Sequence, residues 1–200
     1  MDNIAVFGDS IAWGKNDNAN GGWVGLLRKY LEENRVVGGV YNLSVDGDTS
    51  KGVLARFEIE LAPREINKII FAVGINDSLY RTSFNNTETH IGEFESNINT
   101  LINNSKKLHG AIVFVGLTNV DERFTKPLSY SETGKCYDNT LIAKYNNKLK
   151  EIAARSNVPF INVYGILAPE EIDDGVHPNT EGHHTLYEAI KKGLARSDFF

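Results

Sequence analysis

Asn3-Ile4-Ala5-Val6-Phe7 runs directly into Gly8-Asp9-Ser10-Ile11. An apolar, partly β-branched run that halts at a glycine predicts a buried strand ending in a turn. Ser10 is then the first side chain past that strand able to act as a nucleophile. Asp9 and Ser10 also read as simple turn caps, the commonest work of such residues, and the tripeptide alone does not separate the two readings. What the remaining chain brings to the same edge decides between them.

Downstream the pattern alternates. A loop rich in Gly, Asn and Asp spans 13–22. Trp23, Val24, Leu26, Leu27, Tyr30 and Leu31 then recur at helical spacing, predicting a helix that ends near Asn34. A second strand is expected from about Gly39 to Leu43, followed by a helix capped by Asp48 or Thr49 and striped by Val53, Leu54, Phe57 and Leu61. Ile69 to Val73 is uniformly apolar, as in a central strand buried on both faces, and stops at Gly74-Ile75-Asn76-Asp77. A long helix starting around Ile91 and ending near His109-Gly110, a fourth strand over Ala111 to Leu117 and a loop over Thr118 to Asp138 follow. The chain closes with a helix carrying Leu141, Ile142, Tyr145, Leu149 and Ile152, a fifth strand at Phe160 to Val163, and a last helix capped by Thr180. Five strands alternating with long crossovers predict a three-layer α/β/α sandwich on a five-stranded parallel sheet. In such sheets ligands bind at the carboxyl ends of the strands, where the polar motifs bearing Ser10, Gly47, Asn76 and the 173–177 segment all fall.

Composition narrows the function. With 200 residues, 41% hydrophobic and 24% charged, the chain is expected to form one domain over residues 1–200, and its composition argues against disordered, collagen-like and coiled-coil classes. A net charge of −5 without a basic stripe argues against nucleic acid as a partner. No apolar run approaches the roughly 18 residues of a membrane span, and an acid at Asp2 is unlike a signal peptide. The single cysteine, Cys136, excludes an internal disulfide framework, so a cytoplasmic location is expected. Oligomeric state is not legible.

Asp174-Gly175-Val176-His177-Pro178 supplies what Ser10 lacks. A serine hydroxyl needs a general base, and a histidine serves best when a carboxylate fixes its ring and stabilises the imidazolium. Asp174 and His177 are three residues apart in a turn, so the carboxylate can reach a ring nitrogen. Acyl transfer also needs donors for the developing oxyanion, and the backbone N–H groups of Ser10 and Gly47 and the Asn76 amide are the candidates. His183 and His184 raise the question of zinc with His177. His183 lies on the apolar stripe with Leu186 and Ile190 and no second ligand cluster has the usual spacing, so a packed or exposed histidine, no metal and no cofactor are expected.

With these blocks in order, the chain resembles the GDSL-type esterases and lipases of the SGNH hydrolase family. Gly8-Asp9-Ser10, Gly47, Gly74-Ile75-Asn76-Asp77 and Asp174-Gly175-Val176-His177 match the family's blocks across nearly the whole chain. The resemblance implies a flavodoxin-like strand order 2-1-3-4-5, Ser10 as nucleophile, His177 as base, Asp174 as its orienter, and Gly47 and Asn76 completing the oxyanion hole. Two positions depart from the family pattern: Ile11 replaces Leu, and Ser44 stands where many members carry glycine.

The function expected is a serine esterase acting on a small acyl ester through an acyl-enzyme. Carbohydrate deacetylation, acyl transfer, a lysophospholipase or thioesterase-like activity and a non-catalytic binding domain of the same fold stay open. The 78–87 and 118–138 loops are expected to wall the acyl and alcohol sites. They carry Tyr80, Phe84, Phe124, Tyr130 and Tyr137 among polar residues and no contiguous apolar lid. Burial gains about 0.8 kcal/mol per CH₂, so a site for long chains should offer an apolar wall. Acyl groups of roughly two to four carbons are therefore expected over eight or more.

Overall fold

The computed structural model describes residues 1–108 and 110–200. Strands β1 (Asn3–Gly8), β2 (Gly39–Asn42), β3 (Lys68–Ala72), β4 (Ala111–Val115) and β5 (Phe160–Ile161) form one parallel sheet in the order β2-β1-β3-β4-β5. This is the order the resemblance implied. Helices α1 (Ser10–Trp13), α2 (Gly22–Glu33), α3 (Ser50–Leu61), α4 (Ile91–Lys107), α5 (Asn139–Arg155) and α6 (Thr180–Arg196), with a 3₁₀ turn at Pro169–Glu171, complete the element series.

Burial on both faces explains the apolar runs of the central strands. Phe7, Phe71 and Phe114 stand in register on β1, β3 and β4 and stack with centroids 5.9 and 5.3 Å apart. Phe57 of α3 closes on Phe7 at 5.3 Å, so this aromatic ladder ties the helix to three strands. Phe94 of α4 meets Tyr145 of α5 at 5.2 Å, while α2 packs against α6. Large aromatics stacked in this way contribute beyond the area they bury. No helix among the described residues is long and apolar enough to cross a membrane.

Element ends differ from expectation where side chains intervene. α1 went unseen because four residues show no periodicity; Asp9 caps it, accepting from Ile11 N at 3.0 Å, and Gly14 ends it at φ 100°. β4 ends at Val115 because Asn146 Oδ1 takes the N–H of Leu117 at 2.9 Å, and β5 keeps only two residues. The cap of α6 is Asn179, not Thr180: Asn179 Oδ1 accepts from Gly182 N at 3.0 Å, whereas Thr180 Oγ1 turns to Asp17 at 3.2 Å. α4 runs to Lys107 with Leu108 as its cap, and His109, where its end was expected, lies outside the described residues.

Candidate active site

Ser10 is the first residue of α1, held at the end of β1 by the buried cap Asp9. The turn is as tight as it can be: a Cβ on Gly8 would lie 2.5 Å from Ala12 Cβ and 2.7 Å from the Ala72 carbonyl. Burial, opposed by the Ile11 N–H and reinforced by Asp77, pushes the Asp9 carboxyl up to about 7.

Ser10 Oγ lies 2.8 Å from His177 Nε2, and His177 Nδ1 lies 2.7 Å from Asp174 Oδ2. The other carboxylate oxygen, Oδ1, accepts the backbone N–H groups of Val176 at 3.0 Å and His177 at 2.8 Å. Burial alone would raise the Asp174 carboxyl, but the bonds from the His177 ring and backbone outweigh it and hold the group well below the usual carboxylate range. An ionised Asp174 fixes the tautomer, placing the His177 proton on Nδ1 and leaving Nε2 to accept from Ser10. The three residues expected to act together are thus brought into one hydrogen-bonded chain.

Gly47 and Asn76 reach the same cleft. Gly47 sits at φ 77° in a turn where an added Cβ would meet nothing, so it is the backbone shape that favours glycine here. Among the described residues, neither the Ser10 nor the Gly47 N–H donates to another protein group. Asn76 Nδ2 donates to the Asp48 carbonyl at 2.9 Å, and its second proton is free to face the cleft. Asp77 behaves as a structural residue: its carboxylate takes the Ser50 N–H at 2.9 Å and the Ser50 hydroxyl at 2.5 Å, tying this turn to the start of α3.

Two bracing roles are not foreseen from sequence, that of Tyr137, expected only in the wall, and that of Arg56. Tyr137 donates from its hydroxyl to Asn76 Oδ1 at 2.7 Å, which fixes the amide with its NH₂ end toward the cleft. Arg56 donates to the Leu43 carbonyl at 2.5 Å and to Asp48 Oδ2 at 2.8 Å, clamping the loop that carries Gly47. Neither has a local signature: Tyr137 acts across 61 positions, and Arg56 reaches back from α3 over 8 and 13 residues to the loop before it.

The cleft, about 310 Å³, is floored by Ser10, Gly47, Asn76 and His177. Its wall comes from the 118–138 loop, as expected, with Tyr130 and Tyr137 contributing. The 78–87 segment lines none of it among the described residues. Tyr80 instead pairs with Cys136 through backbone bonds of 3.1 and 2.7 Å, and its ring meets Phe84 edge-on at 4.8 Å, so the segment buttresses the wall from behind. His183 is a packed histidine: Nε2 lies 2.8 Å from the Lys15 carbonyl and Nδ1 accepts from Trp23 N at 3.3 Å. Burial lowers its pKa, in keeping with a neutral ring.

The family model for the GDSL-like Lipase/Acylhydrolase family matches residues 6–185, and the chain belongs to that family. It is an enzyme of the carboxylic ester hydrolase class. Over 195 residues it is 26% identical to thioesterase 1/protease 1/lysophospholipase L1 of Escherichia coli strain K12, covering 96% of this chain and 83% of that protein. It is 27% identical over 194 residues to an arylesterase of Vibrio mimicus, covering 96% and 88%. The fold is shared with a lipase/acylhydrolase from Enterococcus faecalis at a TM-score of 0.76 and 23% identity, covering 97% of this chain and 95% of that one. An acetylxylan esterase from Geobacillus stearothermophilus has a TM-score of 0.75 at 19% identity, covering 96% and 94%.

Proposed function

We propose that the chain hydrolyses small, water-soluble acyl esters, with Ser10 as nucleophile, His177 as general base and acid, and Asp174 as the group that orients it. The observation that carries this reading is the chain Ser10 Oγ, His177 Nε2, His177 Nδ1 and Asp174 Oδ2, with links of 2.8 and 2.7 Å, opening onto the cleft. Ser10 Oγ attacks the acyl carbonyl while its proton passes to His177 Nε2. The N–H groups of Ser10 and Gly47 and the free amide proton of Asn76 hold the resulting oxyanion. Collapse expels the alcohol, which leaves with the proton from His177. Water then attacks the acyl-enzyme, gives its proton to His177, and the acid departs as Ser10 Oγ is reprotonated.

Composition of the cleft supports a short acyl group. Leu128 is the only aliphatic side chain among its described lining residues, and the rim carries Lys15, Asp46, Glu132 and Lys135. A chain of eight carbons would find little apolar surface to cover its methylenes, each worth about 0.8 kcal/mol when buried. The named relatives span thioester, lysophospholipid, aryl ester and acetylated xylan substrates, so membership leaves the acyl group open and the lining selects among them. The polar rim favours an acetylated carbohydrate as the second reading. We assign residues 1–200 to one domain, supported by a core cluster that runs from Ile4 to Phe199, and the single cysteine favours the cytoplasm.

A p-nitrophenyl ester series tests the reading. kcat/KM is expected to peak at two to four carbons and to fall roughly tenfold or more by eight. A rise continuing past about eight carbons would overturn the short-chain assignment and favour a lysophospholipase or thioesterase role.

A further inference from the structure

One stretch of the wall reaches both halves of the site. Within 128–137, Tyr137 holds the Asn76 amide, and seven residues earlier Tyr130 donates from its hydroxyl to Asp174 Oδ2 at 3.0 Å, with His177 Nδ1 at 3.5 Å. The turn that presents Tyr130 is closed by Leu128 N to Lys135 O at 2.8 Å, Ser131 N to Leu128 O at 2.9 Å, and Lys135 N to Ser131 Oγ at 2.9 Å. The phenol therefore arrives with much of its ordering already met by the loop.

We propose that Tyr130 is a positioning residue for the acid–base pair: its hydroxyl shares Asp174 Oδ2 with the His177 ring, fixing the carboxylate against His177 and drawing off part of its charge. With Tyr130 in place Asp174 accepts four donors, two backbone N–H groups on Oδ1 and the His177 ring and Tyr130 on Oδ2. The Asp174 side chain retains 24% exposure with both donors on Oδ2 in place. Burial and the neighbouring Asp174 charge both push the phenol above its ordinary range, so it stays protonated and a donor across the working pH. Sharing has a definite consequence for the base. A carboxylate whose charge is partly satisfied by a phenol stabilises imidazolium less, so removing the hydroxyl favours the protonated His177 ring.

Other ionisable groups surround the ring. Lys15 and Asp46, paired at 3.2 Å, line the cleft with Glu132, Lys135 and Tyr137, and the buried His183 lies close enough to feel the charge of His177. None of these hydrogen-bonds the His177 ring, and all persist in a Tyr130→Phe variant, so their influence cancels in a comparison with wild type. Tyr130 is 51% exposed, and loss of its hydroxyl removes no core volume.

The test is the pH profile of kcat/KM for p-nitrophenyl acetate in wild type and Tyr130→Phe. The variant is expected to lose roughly five- to tenfold in kcat with KM little changed, and its acid limb should move up by about half a pH unit. Wild-type kcat, or an acid limb that does not move, overturns the proposal. A double-mutant cycle checks the route: in an Asp174→Asn background, Tyr130→Phe should cost less than about twofold more. A full multiplicative loss there would show that Tyr130 does not act through Asp174. The inference rests on His177 as base, and the two fail differently. Wild-type activity with no acid limb removes the assignment of His177, whereas a normal limb that Tyr130→Phe leaves in place removes only the role of Tyr130.

Discussion

The floor and the wall of the cleft are built by different physics. Ser10, Asn76 and His177 are almost fully buried, and Ser10 and Asn76 lie just past the ends of β1 and β3, whose Phe7 and Phe71 stack with each other and with Phe114 of β4. The wall over 128–135 buries little beyond Leu128 and is held by turn hydrogen bonds rather than by a core. Near-attack geometry tolerates displacements of well under an ångström, so the reacting groups profit from a close-packed sheet edge. A loop held by polar contacts tolerates substitution, and it is the natural place for selectivity among alcohols and acyl groups.

The sharpest way to break this contrast is Ser10→Ala. Turnover is expected to fall by roughly a thousandfold or more, with the melting temperature close to wild type, because the change removes the nucleophile and almost no volume. Retention of more than about a tenth of wild-type kcat, read alongside a thermal melt, would remove Ser10 from the mechanism. Mass spectrometry after treatment with a serine-directed phosphonate should find the adduct on Ser10.

Tyr137→Phe probes where wall meets floor. Without the hydroxyl, Asn76 Oδ1 loses the bond that fixes its amide, and one oxyanion donor becomes free to turn away. Losing such a donor entirely costs about 10²–10³ in kcat, so a partial loss of roughly tenfold is expected, with KM nearly constant. A KM effect without a kcat effect would place Tyr137 in the wall alone.

Asp9→Asn sharpens the comparison through stability and should have the smallest effect on turnover. Asn keeps the cap on Ile11 N but removes the buried charge. Asp9 titrates at about 7 in the folded chain against about 3.9 unfolded. Between those values the native state binds more protons than the unfolded state, so this group's contribution is fully present below about pH 4 and is lost as pH rises toward 7. Melting curves of wild type and Asp9→Asn should therefore coincide near pH 4, and the variant should melt at the higher temperature by pH 7.5. Parallel curves across that window would mean Asp9 is ionised throughout.

Much of this molecule is legible in its sequence. Strand and helix succession follows from apolar runs and periodicity, which are local, and Ser10, His177 and Asp174, which the structure links by hydrogen bonds, were singled out because acyl transfer requires those side-chain types after particular strands. Element ends were read less well. Asn146 stops β4 and Asn179 displaces Thr180 as the cap of α6, because a side chain from elsewhere, or the geometry of one bond, outcompetes propensity. The strand order came from family resemblance, since periodicity does not say which strands are neighbours.

What tertiary structure alone decided is which side chains support those chemical groups. Tyr130 reaches Asp174 across 44 positions, Tyr137 reaches Asn76 across 61, and Ser10 reaches His177 across 167. Of these, Ser10 and His177 were paired from sequence because the reaction demands both. A tyrosine hydroxyl carries no such demand, and its partner is set by where the folded loop delivers it. The separation of the 78–87 segment from the cleft has the same origin: it leaves β3 at the reacting edge, but its backbone finds Cys136 and pairs there, behind the wall. Composition specifies what a segment can bond to, and the packing of the whole chain specifies what it meets.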